Sequence, residues 1–209
     1  FSLISCLIGY TAIVLSPIHG TRPKTFARIL LLIAIALVFL VIRHPIGLAI
    51  LWGASALIVW LELRETRGAQ EITRLFAIYH VPSVAALGIG AVLLSRGESV
   101  VGIVFLLIGI GIREAVIPLH SWFPPFVQYA PMGLVVAFFA PQLGVYAHLE
   151  LLRGALPQQL AHVVASLGAL TAVLAAALGI AQTDARRALA FLVMSQTGLV
   201  AFGLDTSSP

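Results

Sequence analysis

Few side chains in this sequence can carry charge or exchange a proton, and the ones set inside apolar runs fall in three places. Arg113, Glu114 and His120 stand in REAVIPLHSWFPP; Gln142, Tyr146, His148 and Glu150 stand in QLGVYAHLE; Gln182, Thr183, Asp184, Arg186 and Arg187 stand in AQTDARRALAF. Carboxylates and imidazoles so placed can accept and release protons, and an imidazole titrating near about 6.5 suits a relay. A guanidinium stays charged in proteins, so it steers ions and orders water without handing a proton on. No metal-ligand spacing, phosphate loop, nucleophile elbow or catalytic triad pattern is present. The chemistry open to these residues is therefore ion or proton movement, with no catalytic residue, metal or cofactor expected.

The elements that must position them follow from composition. The chain has 209 residues, 60% hydrophobic and 10% charged, with a mean hydropathy of +1.07. Soluble domains carry about 25% charged residues, so a soluble enzyme and a disordered tail are both excluded. An all-α polytopic bundle is expected, because in lipid a helix of about 20 apolar residues satisfies its own backbone. Apolar runs predict about eight spans, near 2–16, 26–41, 45–61, 75–94, 100–119, 132–152, 160–181 and 188–204, in one transmembrane domain over 1–209. The third run is rich in small residues (Gly47, Gly53, Ser55) that permit close packing, and the seventh reads as packing surface. A lone cysteine, Cys6, excludes an internal disulfide framework. The net charge of +4 is a topology signal, and no solvated basic face for nucleic acid exists. The start at Phe1 and the stop at Pro209 suggest a fragment of a longer fold.

Arg113 lies about 13 residues, roughly 20 Å, into the fifth run, past the bilayer centre. A buried arginine there needs an interior or hydrated setting and an acidic partner, the alternative being that it snorkels to the near interface. Glu114 points about 100° away, so that partner lies elsewhere. Pro118, Pro124 and Pro131 should break the helix, since proline removes donors and disfavours helix before it. Broken backbone at membrane depth lines a watery cavity or is buried in protein; the other reading is an interfacial loop with Trp122 and Tyr129 as belt aromatics. Gln142 and Tyr146 share a helix face at i,i+4. His148 is either a packing residue or a relay, and Glu150 is expected to pair with Arg153 at i,i+3. His80, and Glu62 with Arg64, read as interfacial anchors. Asp184 reads as the N-cap of the last helix, with Arg186 and Arg187 meeting lipid phosphates.

Two motifs at these residues resemble the antiporter-like, proton-conducting membrane subunits of respiratory complex I, of membrane-bound hydrogenases and of multisubunit cation/proton antiporters. Arg113-x4-Pro118-Leu119-His120-Ser121-Trp122-Phe123-Pro124, with Ala130-Pro131 and Gly144-Val145-Tyr146, is similar to the family's Lys-x4-Pro-Phe-His-x-Trp-Leu-Pro, Ala-Pro and Gly-Val-Tyr. Ala181-Gln182-Thr183-Asp184-Ala185-Arg186-Arg187 through Phe191, then Ser195-Gln196-Thr197-Gly198, is similar to Ala-Gln-Thr-Asp-x-Lys-Arg-x-Leu-Ala-Tyr and Ser-Gln-x-Gly. The resemblance implies family helices three to ten, with the first inverted repeat present and the second cut off. It also implies departures. Gly53 follows Trp52 where the family has glutamate, Arg113 and Arg186 replace lysines, and Gln142 is the nearest counterpart of the next helix's lysine or histidine. A lysine can lose its proton when desolvated whereas arginine holds it, so the usual relay is impaired.

The resemblance implies a divergent subunit contributing to proton or cation translocation, with Arg113, Glu114, His120, Gln142, His148, Asp184 and Arg186 as the expected path residues. Its partners would be the lipid bilayer and other membrane subunits, antiporter-like paralogues among them, in a bacterial inner membrane. Any redox catalysis, as in an NADH-quinone oxidoreductase-like or hydrogenase-like complex, would belong to other subunits. Two rival readings are a non-conducting docking subunit and a partner in bicarbonate-type solute uptake. Basic residues gather on one side (Arg22, Lys24, Arg28, Arg64, Arg67, Arg74, Arg186, Arg187) against Arg43, Arg96 and Arg153 on the other. By the positive-inside rule the first group is cytoplasmic. Reporter fusions should read cytoplasmic at Gly68 and external at Gly97; an external signal at Gly68 overturns this topology.

Overall fold

The computed structural model describes residues 2–14, 16, 22–97, 99–152 and 155–206. Among them the chain forms ten helical segments: α1 (Ser2–Val14), α2 (Pro23–Phe39), α3 (Pro45–Glu65), α4 (Gln70–Ser95), α5 (Ser99–Arg113), α6 (Phe123–Tyr129), α7 (Met132–Phe139), α8 (Leu143–Leu152), α9 (Gln158–Ile180) and α10 (Ala185–Thr206). Proline opens α2 and α3 after an extended Arg22 and His44. There its missing N–H belongs to the group that has no helical partner anyway. Gly68 (φ +78°) and Gly97 (φ +83°) take the left-handed turns on either side of α4, a conformation that glycine adopts without a Cβ penalty.

Helices α3, α4 and α9, and the α7–α8 rod from Met132 to Leu152, are each long and apolar enough to cross a membrane. The apolar part of α5 is shorter, Val100–Arg113. Two antiparallel hairpins, α4–α5 and α9–α10, supply the closest packing. A Cβ on Gly90 would meet the Gly102 carbonyl at 2.8 Å, and one on Gly168 would meet the Gly198 carbonyl at 2.8 Å. Small residues thus let backbones touch, which is how helices associate when lipid removes the hydrophobic drive between them. The bundle interior holds two apolar clusters, one around Phe76, Trp122, Phe126 and Phe138, the other around Phe39, Trp52, Leu106 and Leu143. Apolar residues such as Ile50, Val81, Val173 and Ile180 are exposed on the outside, as suits a surface facing acyl chains.

Two spans differ from expectation. The fifth stops at Arg113, short of 119, because Ala115 turns left-handed (φ +53°) and Pro118, with no N–H to continue the ladder, follows. The chain then passes through turns to the short helix α6. The sixth is two helices, since Gln142 (φ +51°) interrupts it between Phe139 and Leu143. Gln142 therefore shares no continuous helix face with Tyr146. Its carbonyl accepts the Tyr146 N–H (3.1 Å) and so starts α8.

Substituting Gly168 by valine should separate α9 from α10. A loss of about 1–3 kcal/mol or more is expected, as for overpacked cores, seen as a lower midpoint of thermal unfolding in detergent. An unchanged midpoint would mean that the two backbones do not touch.

Candidate functional site

The site is built where two broken helices meet. A continuous α7–α8 helix would bond the Phe138 carbonyl to the Gln142 N–H, but the left-handed Gln142 donates to Phe139 instead (3.0 Å). The freed Phe138 carbonyl is taken by Arg113, at the end of α5, through Nη2 at 3.3 Å. Arg113 Nη1 donates to Ser55 Oγ on α3 at 2.8 Å, and Ser55 in turn donates to the Trp52 carbonyl. The guanidinium also lies over the Phe138 ring (3.9 Å) and the Trp52 ring (4.5 Å). Aromatic faces attract a cation most where water is absent, and Arg113 is only 2% exposed. Among the described residues no carboxylate lies within ion-pair distance of Arg113, and it does not snorkel. Hydroxyl, carbonyl and two rings replace the acidic partner expected for it.

Glu114, one residue on, faces α8. Its Oε1 accepts the N–H of Gly144 at 2.8 Å, one of the first-turn donors that have no helical acceptor. The positive end of the α8 dipole favours the same placement. A Cβ on Gly144 would run into the Glu114 carboxyl group, so glycine is what permits the contact. Oε2 of Glu114 is buried without a protein partner. Glu114 is also one of the residues lining a cavity of about 270 Å3, with Gly111, Pro118, His148, Leu167 and Thr197. Glu114 and His148, 30-odd positions apart in a sequence read as separate motifs, thus line one cavity, whereas Arg113, His120 and Gln142 are not among its walls.

The remaining candidates are placed elsewhere. His120 is half-buried, with Nδ1 lacking a partner. Trp122 is buried, not interfacial, and donates Nε1–H at 2.8 Å to the Ile112 carbonyl, which also accepts the Ala115 N–H (3.2 Å) where α5 ends; Tyr129 is exposed. Asp184 Oδ1 accepts the Arg187 N–H at 2.8 Å and caps α10 as expected. Arg186 does not reach for lipid phosphate. It donates to the carbonyls of Gln128 (2.9 Å) and Ala130 (3.3 Å), closing the C-terminal end of α6. Glu150 lies 3.9 Å from Arg43; Arg153, the partner expected for it, lies outside the described residues. Pro124 is buried within α6 and Pro131 precedes α7, so both mark helix starts. Gly53 is packed against α4, where an added Cβ would meet Val84 at 3.2 Å.

Two groups expected as anchors are interior. Glu62 is buried, accepts from Thr25 and pairs with Arg28, which also binds Glu65 at 2.6 Å, tying α2 to α3. Arg64 instead lies over Trp60 at 5.3 Å. The spacing of Glu62 and Glu65, one helix turn apart, was the available signal for a shared cation. His80 is buried and stacked on Phe76, one turn earlier, with centroids 3.7 Å apart, and meets the edge of Trp122 at 4.3 Å. Its Nδ1 lies 3.1 Å from the Phe76 carbonyl and so must carry the proton, leaving Nε2 as a buried, unpartnered acceptor. Next to it Ser83 accepts from Trp52 Nε1 (3.1 Å) and donates to the Gly109 carbonyl (2.7 Å). Ser55, Trp52, His80 and Ser83 thus surround the chemistry from α3 and α4, and of these only Trp52 stood in a family pattern.

Apolar helices, two of them broken beside one another to hold a buried arginine and a buried glutamate, define a polytopic membrane subunit of the antiporter-like class. The chain belongs to the NADH:quinone oxidoreductase/Mrp antiporter transmembrane family, whose pattern matches residues 21–208. It is 35% identical over 103 residues to NADH-quinone oxidoreductase subunit 14 of Thermus thermophilus, covering 49% of this chain and 23% of that one. To subunit N of Desulforamulus reducens it is 32% identical over 115 residues, covering 52% and 24%. The chain thus matches about a quarter of the length of these relatives. The fold is shared with a chain of the membrane-bound sulfane sulfur reductase, an archaeal respiratory membrane complex (TM-score 0.82, 18% identity, 97% of this chain and 39% of that one). It is also shared with a chain of respiratory complex I from Thermus thermophilus with bound aureothin (TM-score 0.76, 22% identity, 96% and 49%).

Replacing Ser55 by alanine leaves a buried guanidinium N–H without its acceptor. The expected cost is about 1–3 kcal/mol, measured as a lowered unfolding midpoint in detergent; a midpoint equal to wild type would show that Ser55 does not hold Arg113.

Proposed function

We propose that this chain is a divergent antiporter-like subunit that contributes to proton or cation translocation within a larger membrane complex. The observation that carries the reading is the pair at the end of α5: Arg113 and Glu114, adjacent in sequence, are buried toward opposite sides of a broken helix. Burying two charged side chains at membrane depth is costly, and such groups mark ion paths in membrane proteins. Arg113 serves as a fixed positive charge, held by Ser55 and the Phe138 carbonyl. Glu114 and His148 are the titrating groups on the cavity side; His80, with Nε2 free to accept, is the titrating group on the α3–α4 side. His120 and Gln142 each keep one buried polar atom unpartnered by protein. Asp184 caps α10 and Arg186 closes the end of α6. The complex sits in a bacterial inner membrane, with other membrane subunits as partners and redox chemistry, where present, in those subunits.

A second reading has an observation of its own. Arg113 and Arg186 both end on backbone carbonyls, and Gly53 stands where the family has glutamate, so the chain could serve as a docking subunit that conducts nothing. Ion flux by the assembled complex in proteoliposomes separates the two. Glu114→Gln should lower flux by about a hundredfold or more, the low side of what a positioned proton-transfer group contributes, and Arg113→Ala, which removes the fixed charge, should lower it as well. Wild-type flux in both variants, with the complex intact, would leave the docking reading standing.

A further inference from the structure

Thr171 belongs to the run read as packing surface, yet it is buried and its hydroxyl bonds the backbone of the α5 break. The helical ladder of α5 comes apart over three residues. The Glu114 N–H still donates to Ile110, four residues back (2.9 Å); Ala115 reaches only to Ile112 (3.2 Å), and Val116 reaches to Gly111 (3.0 Å). The Ile117 N–H leaves the helix altogether and donates to Thr171 Oγ1 on α9 at 3.0 Å. Pro118 then has no N–H to place. A helix continued through this point would use the Arg113 carbonyl for Ile117. The hydroxyl thus replaces the acceptor whose use would close the break.

Thr171 is prepared for this bond by its own surroundings. Its Oγ1–H donates to the Leu167 carbonyl one turn earlier (2.7 Å), which leaves the oxygen's lone pairs for Ile117. Helix α10 closes on it from another side: a Cβ on Gly198 would meet Thr171 Cβ at 3.1 Å and the Ala172 nitrogen at 2.7 Å, and Ser195 Oγ donates to the Ala172 carbonyl at 2.8 Å. The same hairpin grips the far end of the broken segment, where Arg186 holds the Gln128 and Ala130 carbonyls. Ile117 and Leu167, the two residues that Thr171 bonds, also share a cavity wall with Glu114.

We infer that Thr171 is a positioning residue: its hydroxyl keeps α5 broken at Ile117 and so holds Glu114 against the Gly144 N–H of α8. Its bearing on ion flux rests on the transport reading above; its hold on the break does not.

The test is amide hydrogen exchange of the full-length protein in detergent, resolved to single residues. Thr171→Val keeps the branched shape and removes the acceptor. It should speed exchange at Ile117, and at Gly144 on α8, by about fivefold or more, the low side for a donor left without its acceptor. Amides within α9 and α10 should stay within about twofold of wild type, since the opening is local. Thr171→Ser keeps the hydroxyl and should restore both amides. A merely structural role would loosen α9 and α10 together and would not single out an amide of α8. Exchange at Ile117 unchanged in Thr171→Val, or faster there with Gly144 unmoved, overturns the proposal. If Thr171→Val does not fold, Thr171→Ala is judged by the same two amides. An Ile117 amide that exchanges in the wild type at the rate of an unstructured chain overturns the proposal without any variant. Flux by the assembled complex in proteoliposomes should fall in Thr171→Val and return in Thr171→Ser; both amides loosened with flux unchanged would overturn the part Thr171 plays in transport. Absence of flux in the wild-type complex would overturn the transport reading alone.

Discussion

Inside a lipid-facing bundle every backbone carbonyl and N–H that leaves a helix must find a partner within the protein, since no bulk water reaches it. This constraint organises the centre of the molecule. The break at Gln142 frees the Phe138 carbonyl, which Arg113 takes, and where α5 ends the Ile112 carbonyl accepts from both the Ala115 N–H and Trp122 Nε1. At the start of α8 the Gly144 N–H is free in the other sense and is taken by Glu114. The charged residues are therefore the means by which two interrupted helices are made compatible with membrane depth, as well as the groups available for ion chemistry.

The same bonds fix which way each charge faces. Arg113 is drawn toward α3 and α7, into a cage of Ser55, Trp52 and Phe138, and Glu114 toward α8 and the cavity. A guanidinium satisfied by dipoles and ring faces needs no counter-ion, so the carboxylate next to it is left with one oxygen uncommitted. That separation gives the α5 break two unlike sides, a permanently positive one and a titratable one, from two neighbouring residues. Glycines support it at a distance: Gly144 makes room for the carboxyl group, and Gly90, Gly102 and Gly109 let α4 lie against α5 closely enough for Ser83 to reach the Gly109 carbonyl.

Much of the fold was legible because lipid simplifies the code. Long apolar runs bounded by Arg22, Arg43, Arg67 and Arg96 mark helices, and Pro118 marks a break, on backbone grounds alone. The interruption at Gln142 was missed although Pro141, inside the sixth run, was a local signal for it; that glutamine takes the positive φ there is a tertiary choice. Glu62 and His80 were not legible as interior groups. Each stands near the end of a run or beside a tyrosine, where an anchor and a buried ligand have the same sequence environment, and only Arg28 or Phe76 arriving alongside distinguishes them.

The sequence by itself determined that this is a multi-helix membrane chain of the antiporter-like type with a helix broken near Pro118, because hydropathy, proline and motif spacing act locally along the chain. The tertiary structure alone decided that Arg113 is satisfied without an acid, that Glu114 and His148 share a cavity, and that Arg186 closes α6. Those outcomes depend on which freed carbonyl or N–H from another segment lies within about 3 Å of a side chain, and that follows from packing between segments distant in sequence.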